Sequence, residues 1–483
     1  MSWLGEHWLP VLLVGGYLAL LAHHAWAGSR HTSSLADYLI AGRRLGGVAV
    51  AFSFYATFVS TNSFIGQAGK SWEVGLVWYV KAFVFIALCY IAWYFVAPRF
   101  VAETRACNSV TVADYLGTRY GSAAVRRAAG AVIFGASVFY LVAVYKGSAL
   151  ALEHFLGLPY EWAAIVIFVV VTLYTLAGGF YSVVATDVLQ GIIMSAGAVA
   201  MLAVVLTKGG GLGPMLASLR EQDPDLVSWR GKLPLATLVG LALAGGLKFL
   251  VEPRQLSRFY GLRDATALRR ARVLAPLLVL VTYLCLMPVG ALAHALIPPD
   301  ALSDSDEVIP YLLGTADLFG PVLSSLFLLV LISAAMSSLD SVLLVGASAV
   351  EHDLMIRSGN DAQAIVRTRA WVVVLSLVSM LLALNPFGDI VEITAFSGSL
   401  YGACFLPTLV LGLYWRRGTA AGALACMYAG TASVVGWFLA KRWGWTDWHE
   451  VFVGLAVGTL VYVGASWATA PAAAIEDIEA EIA

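Results

Sequence analysis

The run Leu331-Ile332-Ser333-Ala334-Ala335-Met336-Ser337-Ser338-Leu339-Asp340-Ser341 sets four hydroxyls and a carboxylate inside an otherwise apolar stretch. Burying such groups is costly unless something satisfies them. At helical spacing Ala334, Ser337, Ser338 and Ser341 share one face, and Asp340 flanks Ser337. That face offers oxygens and almost no bulk, the surroundings a small hard cation requires. The alternative is close helix contact, to which Ser and Ala are equally suited.

Lys146 and Lys248 are the lysines deepest in apolar segments, and an ionisable group within a membrane span is a functional candidate by default. Lys248 sits between Gly245-Gly246 and Glu252-Pro253, a poor continuous helix. Pairing with Glu252 or Asp340, or snorkelling to an interface, accounts for it without a ligand. Lys146 reads as a scaffold partner of a carboxylate. A second irregular stretch, Phe52 to Gly66, is rich in Ser, Thr and Asn, whose side chains compete for backbone hydrogen bonds. Asp187, in Thr186-Asp187 at the head of an apolar segment, reads as a helix cap. An internal salt bridge is the corresponding structural reading of Asp340.

These residues must be positioned by helices that cross a membrane. The 483 residues are 60% hydrophobic and only 12% charged, about half the charged fraction of a soluble protein. Apolar stretches of about 20 residues recur throughout, so the fold class is an all-α polytopic membrane protein. Thirteen spans are predicted, near 8–27, 46–68, 74–98, 127–155, 160–182, 185–207, 234–256, 272–297, 319–349, 366–385, 389–414, 419–440 and 448–469. The net charge of −1 carries no signal about partners, and no basic run suggests nucleic acid. Cys89, Cys107, Cys285, Cys404 and Cys426 lie far apart and show neither metal spacing nor a disulfide framework. The first seven residues contain no Lys or Arg, so 8–27 reads as a retained helix rather than a cleaved signal. A short acidic tail around Glu476, Asp477, Glu479 and Glu481 ends the chain.

Of the 29 Lys and Arg residues, 19 fall in one set of loops and 7 in the other, with Lys81, Lys146 and Lys248 inside spans. The richer set, which includes Arg254 and Arg258, is assigned to the cytoplasm, placing the N-terminus outside and the C-terminus inside. Spans 2 and 7 both look broken and lie five apart. Interrupted helices at matching places in two halves point to an inverted-repeat transporter. The expected division is an N-terminal extra helix and loop (1–45), a first repeat (46–207), an outer loop (208–233), a second repeat (234–414) and two C-terminal helices with the tail (415–483).

Several motifs occur together in one order: Ala36-Asp37-Tyr38-Leu39-Ile40-Ala41-Gly42-Arg43-Arg44, the stretch Ser60 to Gly66, and Tyr174-Thr175-Leu176-Ala177-Gly178-Gly179. They continue with Thr186-Asp187-Val188-Leu189-Gln190, Ala334 to Ser341, and Glu351-His352-Asp353-Leu354. With them the chain resembles the sodium:solute symporter family over residues 35–420. The resemblance implies a LeuT-like five-plus-five inverted repeat, with alternating access around a midplane site. It also implies sodium bound by backbone carbonyls of Ala56, Val59 and Ala334 and by the hydroxyls of Ser337 and Ser338. Five neutral oxygens suit a monovalent ion that must be released again.

In some relatives the positions matching Asp187, Asp340 and Ser341 form a second sodium site. Here one expected hydroxyl is the carboxylate of Asp340, so the expectation widens to a second cation or a shared proton. The unwound stretch Ser60, Thr61, Asn62 and Ser63, with Lys248 and Glu252 from span 7, is the expected solute contact. Lys248 would favour a monocarboxylate or amino acid, and the short Asn62 and Ser63 argue against a hexose. Glu252 and Arg254 are expected to form gating ion pairs or to lie in a solvated loop.

The function expected is sodium-coupled symport of a small organic solute through a multi-pass helical bundle in the cell membrane. Its partners are the solute, sodium and the lipid bilayer, with no nucleic acid and no organic cofactor. The first alternative is a proton-coupled or uncoupled transporter of the same fold. An integral membrane enzyme using Asp187 and Asp340 is a remote one, for no nucleophile elbow, metal cluster or phosphate loop is present.

Overall fold

A chain surrounded by lipid must satisfy its backbone N–H and C=O groups within its own segments, and this one does so with helices. The computed structural model describes residues 3–29, 34–298, 300–314, 316–355 and 360–470. Arg30, Arg357 and the acidic tail lie outside the described residues. The principal helices are α1 (Trp3–Ser29), α2 (Gly47–Phe58), α3 (Asn62–Val74), α4 (Leu76–Ala106), α5 (Ala123–Leu156), α6 (Tyr160–Ala177) and α7 (Phe180–Lys208). They continue with α8 (Leu235–Gly261), α9 (Ala265–Ala293), α10 (Leu318–Leu354), α11 (Asp361–Ala383), α12 (Ile390–Tyr414), α13 (Ala420–Arg442) and α14 (Glu450–Ala468). Among the described residues the only β pairing is an isolated bridge between Leu45 and Leu262. It ties the start of α2 to the end of α8.

Ten of these helices are long and apolar enough to cross a membrane, or eleven if α2 and α3 form one bent span. The apolar part of α6 is shorter, and the side chains at both ends of α1 lie outside the described residues. The thirteen spans expected from sequence are therefore not all established by length and composition.

Both expected breaks occur. The α2–α3 bend is 59°. In α8 the helix is interrupted by a turn at Leu247 and by extended backbone at Glu252 (φ −75°, ψ 124°). Pro253 then restarts it, since a proline is tolerated at a helix's first position but not in its interior. This last part, Pro253–Gly261, is buried throughout, so span 7 runs past the predicted end at 256.

The core that holds the breaks is made by α2 packed on α7 and α9, α10 on α5 and α7, and α12 on α5. Gly398 of α12 marks the closest approach to α8. A Cβ there would lie 2.0 Å from the Ala244 carbonyl oxygen and 2.9 Å from Lys248 Cε.

Candidate functional site

The helical ladder fails where α2 ends, and its lost bonds can be traced. Ser60 N–H donates to Ser63 Oγ (3.3 Å), Asn62 N–H to Ser60 Oγ (3.2 Å) and Ser63 N–H to the Ser60 carbonyl (2.8 Å). The carbonyls of Ala56, Phe58 and Val59 thereby lose the donors four residues on. Side chains that compete with the ladder free backbone acceptors here, as their composition predicts.

The serine face of α10 lies against this break. Ala334, Ser337, Ser338 and Ser341 are all buried. Ser338 Oγ is 3.4 Å from the Thr57 carbonyl oxygen. Ser337 Oγ donates to Asp187 Oδ1 at 2.8 Å, which leaves its lone pairs available to a cation. Of the α10 hydroxyls, Ser338 thus reaches the backbone at the end of α2 through Thr57, the residue after Ala56, while Ser337 faces Asp187.

Asp187 is a hub rather than a cap. It lies inside α7, whose N-cap position is Gly179, so the capping reading is overturned. Besides Ser337, its carboxylate accepts from Ser53 Oγ (2.6 Å) and from Arg258 Nη2 (3.0 Å). Thr57 Oγ1 stands 3.5 Å away.

Arg258, counted from sequence among the cytoplasmic loop residues, is 1% exposed. All five of its N–H donors are used. Nε bonds Ser53 Oγ, Nη1 bonds Ser257 Oγ and the Arg254 carbonyl, and Nη2 bonds Asp187 and Ser341 Oγ (2.6 Å). The guanidinium occupies the space between Asp187 and Ser341. Asp340 accepts from Ser341 through Oδ1 (3.2 Å), and its Oδ2 is buried without a hydrogen-bond partner among the described residues. The salt bridge expected for Asp340 is absent among the described residues. Removing Arg254 and Arg258 from the loop count leaves the excess of Lys and Arg on the same side.

Beyond the break, Phe58, Asn62, Lys81, Phe85, Tyr140, Gly245, Lys248, Arg254, Tyr283, Val391, Thr394 and Ala395 surround a small cavity. Its volume of about 20 Å³ has room for about one water. Asn62 lines it and accepts from Gln67 Nε2 at 3.1 Å. Ser63 turns to the Tyr283 hydroxyl (2.7 Å), and Thr61 is buried against Gly147 of α5. Lys248 sits 4.6 Å from the centre of the Tyr140 ring. Among the described residues it pairs with neither Glu252 nor Asp340, and its burial rules out snorkelling. Glu252 pairs instead with Arg254 (2.7 Å), both inside the bundle rather than in a loop.

Lys146 meets the carboxylates expected of a scaffold lysine, Asp306 at 2.6 Å and Asp304 at 3.2 Å. Lys81, Tyr140, Ser53 and Arg258 were not among the residues singled out from sequence. For Lys81 the signal was present, a charge within an apolar span. For Arg258 it was absent, because Pro253–Gly261 has the polarity of a loop.

Known proteins extend the same picture. The profile of the sodium:solute symporter family matches residues 38–430. A high-affinity proline transporter of Bacillus subtilis is 31% identical, the match covering 93% of this chain and 96% of that one. The sodium/pantothenate symporter of Escherichia coli is 30% identical, over 82% and 83% of the two chains. These relatives are transporters, not enzymes. Among solved structures, a substrate-bound, outward-open sodium-coupled sialic acid symporter superposes with a TM-score of 0.80 at 20% identity, covering 96% of this chain and 98% of that one. MhsT in complex with L-phenylalanine superposes at 0.52 with 15% identity, covering 90% and 98%. From the broken helices, the serine face that meets them and the match across most of its length, the chain belongs to the sodium:solute symporter family.

Proposed function

We propose that one sodium ion binds between the α2–α3 break and α10, and that its gradient drives import of a small organic solute held in the adjoining cavity. The carbonyls of Ala56, Val59 and Ala334 and the hydroxyls of Ser337 and Ser338 are its ligands. The observation that carries this reading is the diversion of the Ser60, Asn62 and Ser63 N–H groups, which takes the usual donors from Ala56, Phe58 and Val59 at the end of α2 that Ser338 touches through the Thr57 carbonyl. A single ion holding α3 against α10 shapes Asn62 and the cavity wall for solute, so each ligand raises the other's affinity. The protein lies in the cell membrane with all thirteen spans crossing it, its N-terminus outside and its C-terminus in the cytoplasm.

Arg258 supplies the charge that the second cation would bring between Asp187 and Ser341, so the stoichiometry proposed is one sodium. A proton-linked step is the second reading, favoured by the unpartnered Oδ2 of Asp340. An Asp340→Asn variant with an unchanged pH dependence of uptake would remove it.

The sodium reading is tested by melting temperature in sodium and potassium chloride at matched ionic strength. Wild type is expected to melt several degrees higher in sodium, and Ser337→Ala/Ser338→Ala to lose that difference, since a ligand stabilises the state it binds. An equal sodium response in wild type and the double variant would refute the site.

A further inference from the structure

Lys81 joins Lys248 in the wall of the solute cavity, one from α4 and one from the broken α8. Both are nearly fully buried, at 2% and 3% exposure. Among the described residues neither ammonium has a carboxylate within ion-pair distance, in contrast to Lys70, Lys146 and Lys441, which all do. The third cation of the wall, Arg254, is already matched by Glu252. Among the described residues no Asp or Glu lines the cavity.

Aromatic rings are the nearest partners the fold offers. Lys81 Nζ lies 4.4 Å from the Trp78 ring centre and 5.3 Å from that of Phe85, and Lys248 Nζ lies 4.6 Å from Tyr140. A cation over a ring is stabilised by about 0.5–2 kcal/mol. Removing an ammonium from water costs several kcal/mol, so the rings leave both lysines under-compensated. A structural lysine would find a carboxylate, as Lys146 does. These two converge on a space the size of one small polar group.

We infer that the solute is a small carboxylate anion without an ammonium group, its carboxylate held between Lys81 and Lys248. This rests on the symport reading above and specifies its substrate class. A carboxylate offers about four lone-pair sites on two oxygens, enough to accept from both ammoniums. When the cavity widens beyond the one-water space it has here, Phe58, Phe85, Val391 and Ala395 are the apolar side chains against which a short carbon chain packs, and Asn62, Tyr283 and Thr394 the groups that bond its hydroxyls. An amino acid would bring a further positive charge among Lys81, Lys248 and Arg254 with no free acid lining the cavity to receive it. The cavity wall thus selects against the zwitterions that the names of the proline-transporting relatives suggest.

Purified full-length protein in sodium chloride is titrated with butyrate, lactate, succinate, proline and glucose, and binding is read from the shift in melting temperature. At least one carboxylate is expected to bind tenfold or more tightly than proline or glucose. Lys81→Met and Lys248→Met are each expected to weaken that carboxylate by tenfold or more while keeping the solute-free sodium shift, which shows them folded. A protein that answers to proline or glucose, or to none of the five, overturns the inference. So does an unchanged carboxylate affinity in both lysine variants. Loss of the sodium shift with a retained carboxylate response would instead overturn the sodium reading and leave the anion site standing.

Discussion

Arg258 is the residue on which the charge balance of the inner bundle depends. Among the described residues it alone bonds Asp187, Ser341 and Ser53 together, with every N–H spent. Arg258→Met leaves Asp187 and Asp340 buried with no counter-charge, and loss of one partner from a buried pair costs about 3–5 kcal/mol. A large fall in melting temperature is expected. Asp187→Asn/Arg258→Met is expected to recover much of it, because the two losses share one interaction. If Arg258→Met melts with wild type, the guanidinium is not the counter-charge. Half of this cluster was legible in the sequence. Asp187, Ser337, Asp340 and Ser341 are polar residues in apolar surroundings, and such residues announce themselves. Arg258 was hidden because its neighbours Arg254, Gln255 and Ser257 are polar too. Hydropathy measures what a segment is made of, not whether side chains elsewhere complete its hydrogen bonds. Lys81 was visible, but only the cavity shows that it and Lys248 face one space.

At the scale of the element, the α2–α3 break is built by side chains that take N–H groups away from the ladder. The place of the break was readable from the Ser, Thr and Asn content, and that in α8 from Gly245-Gly246 and Glu252-Pro253. Which carbonyls become free was not readable, because that depends on which hydroxyl each N–H chooses. Ser60 Oγ takes the Asn62 N–H and Ser63 Oγ takes the Ser60 N–H. In Ser60→Ala/Ser63→Ala both N–H groups can return to Phe58 and Ala56. Each such bond is worth about 1 kcal/mol, so with both restored the sodium concentration for half-maximal stabilisation is expected to rise about thirtyfold. The same titration in Ser325→Ala, whose hydroxyl bonds the Pro321 carbonyl within its own helix, serves as the control. An unchanged sodium response in the double variant would mean that the break is imposed by packing instead. The length of α8 illustrates the opposite limit of sequence reading, since its last nine residues are polar by composition and buried by position.

For the whole molecule, alternating access requires that the bundle close at one end while opening at the other, and the end assigned to the outside is held by charges. Lys70 of α3 pairs with Asp389 at the head of α12 (2.9 Å). Asp306, in the loop before α10, accepts from Lys146 of α5 (2.6 Å) and from the Ile390 N–H of α12 (3.0 Å). Asp304 also reaches Lys146, so α3, α5, α12 and this loop share one network. Burial pushes the Asp306 carboxyl up to about 6 despite Lys146 beside it. Once the outer end opens and water reaches it, the carboxyl is expected to return toward its ordinary value of about 3.9. The closed arrangement therefore binds the proton more tightly, and acidification from pH 7.5 to 5.5 favours closure. For the same reason its contribution to folding stability is complete below about pH 4 and is lost as pH rises through about 6. A cysteine introduced by Thr394→Cys in the cavity wall reads the opening through its labelling by a membrane-impermeant thiol reagent. The reagent's own pH dependence is common to all variants, so the rate is compared with that in Thr394→Cys/Asp306→Asn, where no proton can bind. The ratio of the first rate to the second is expected to fall several-fold between pH 7.5 and 5.5. A ratio that stays constant would show that Asp306 stays in one environment through the cycle and that the outer end closes on other contacts.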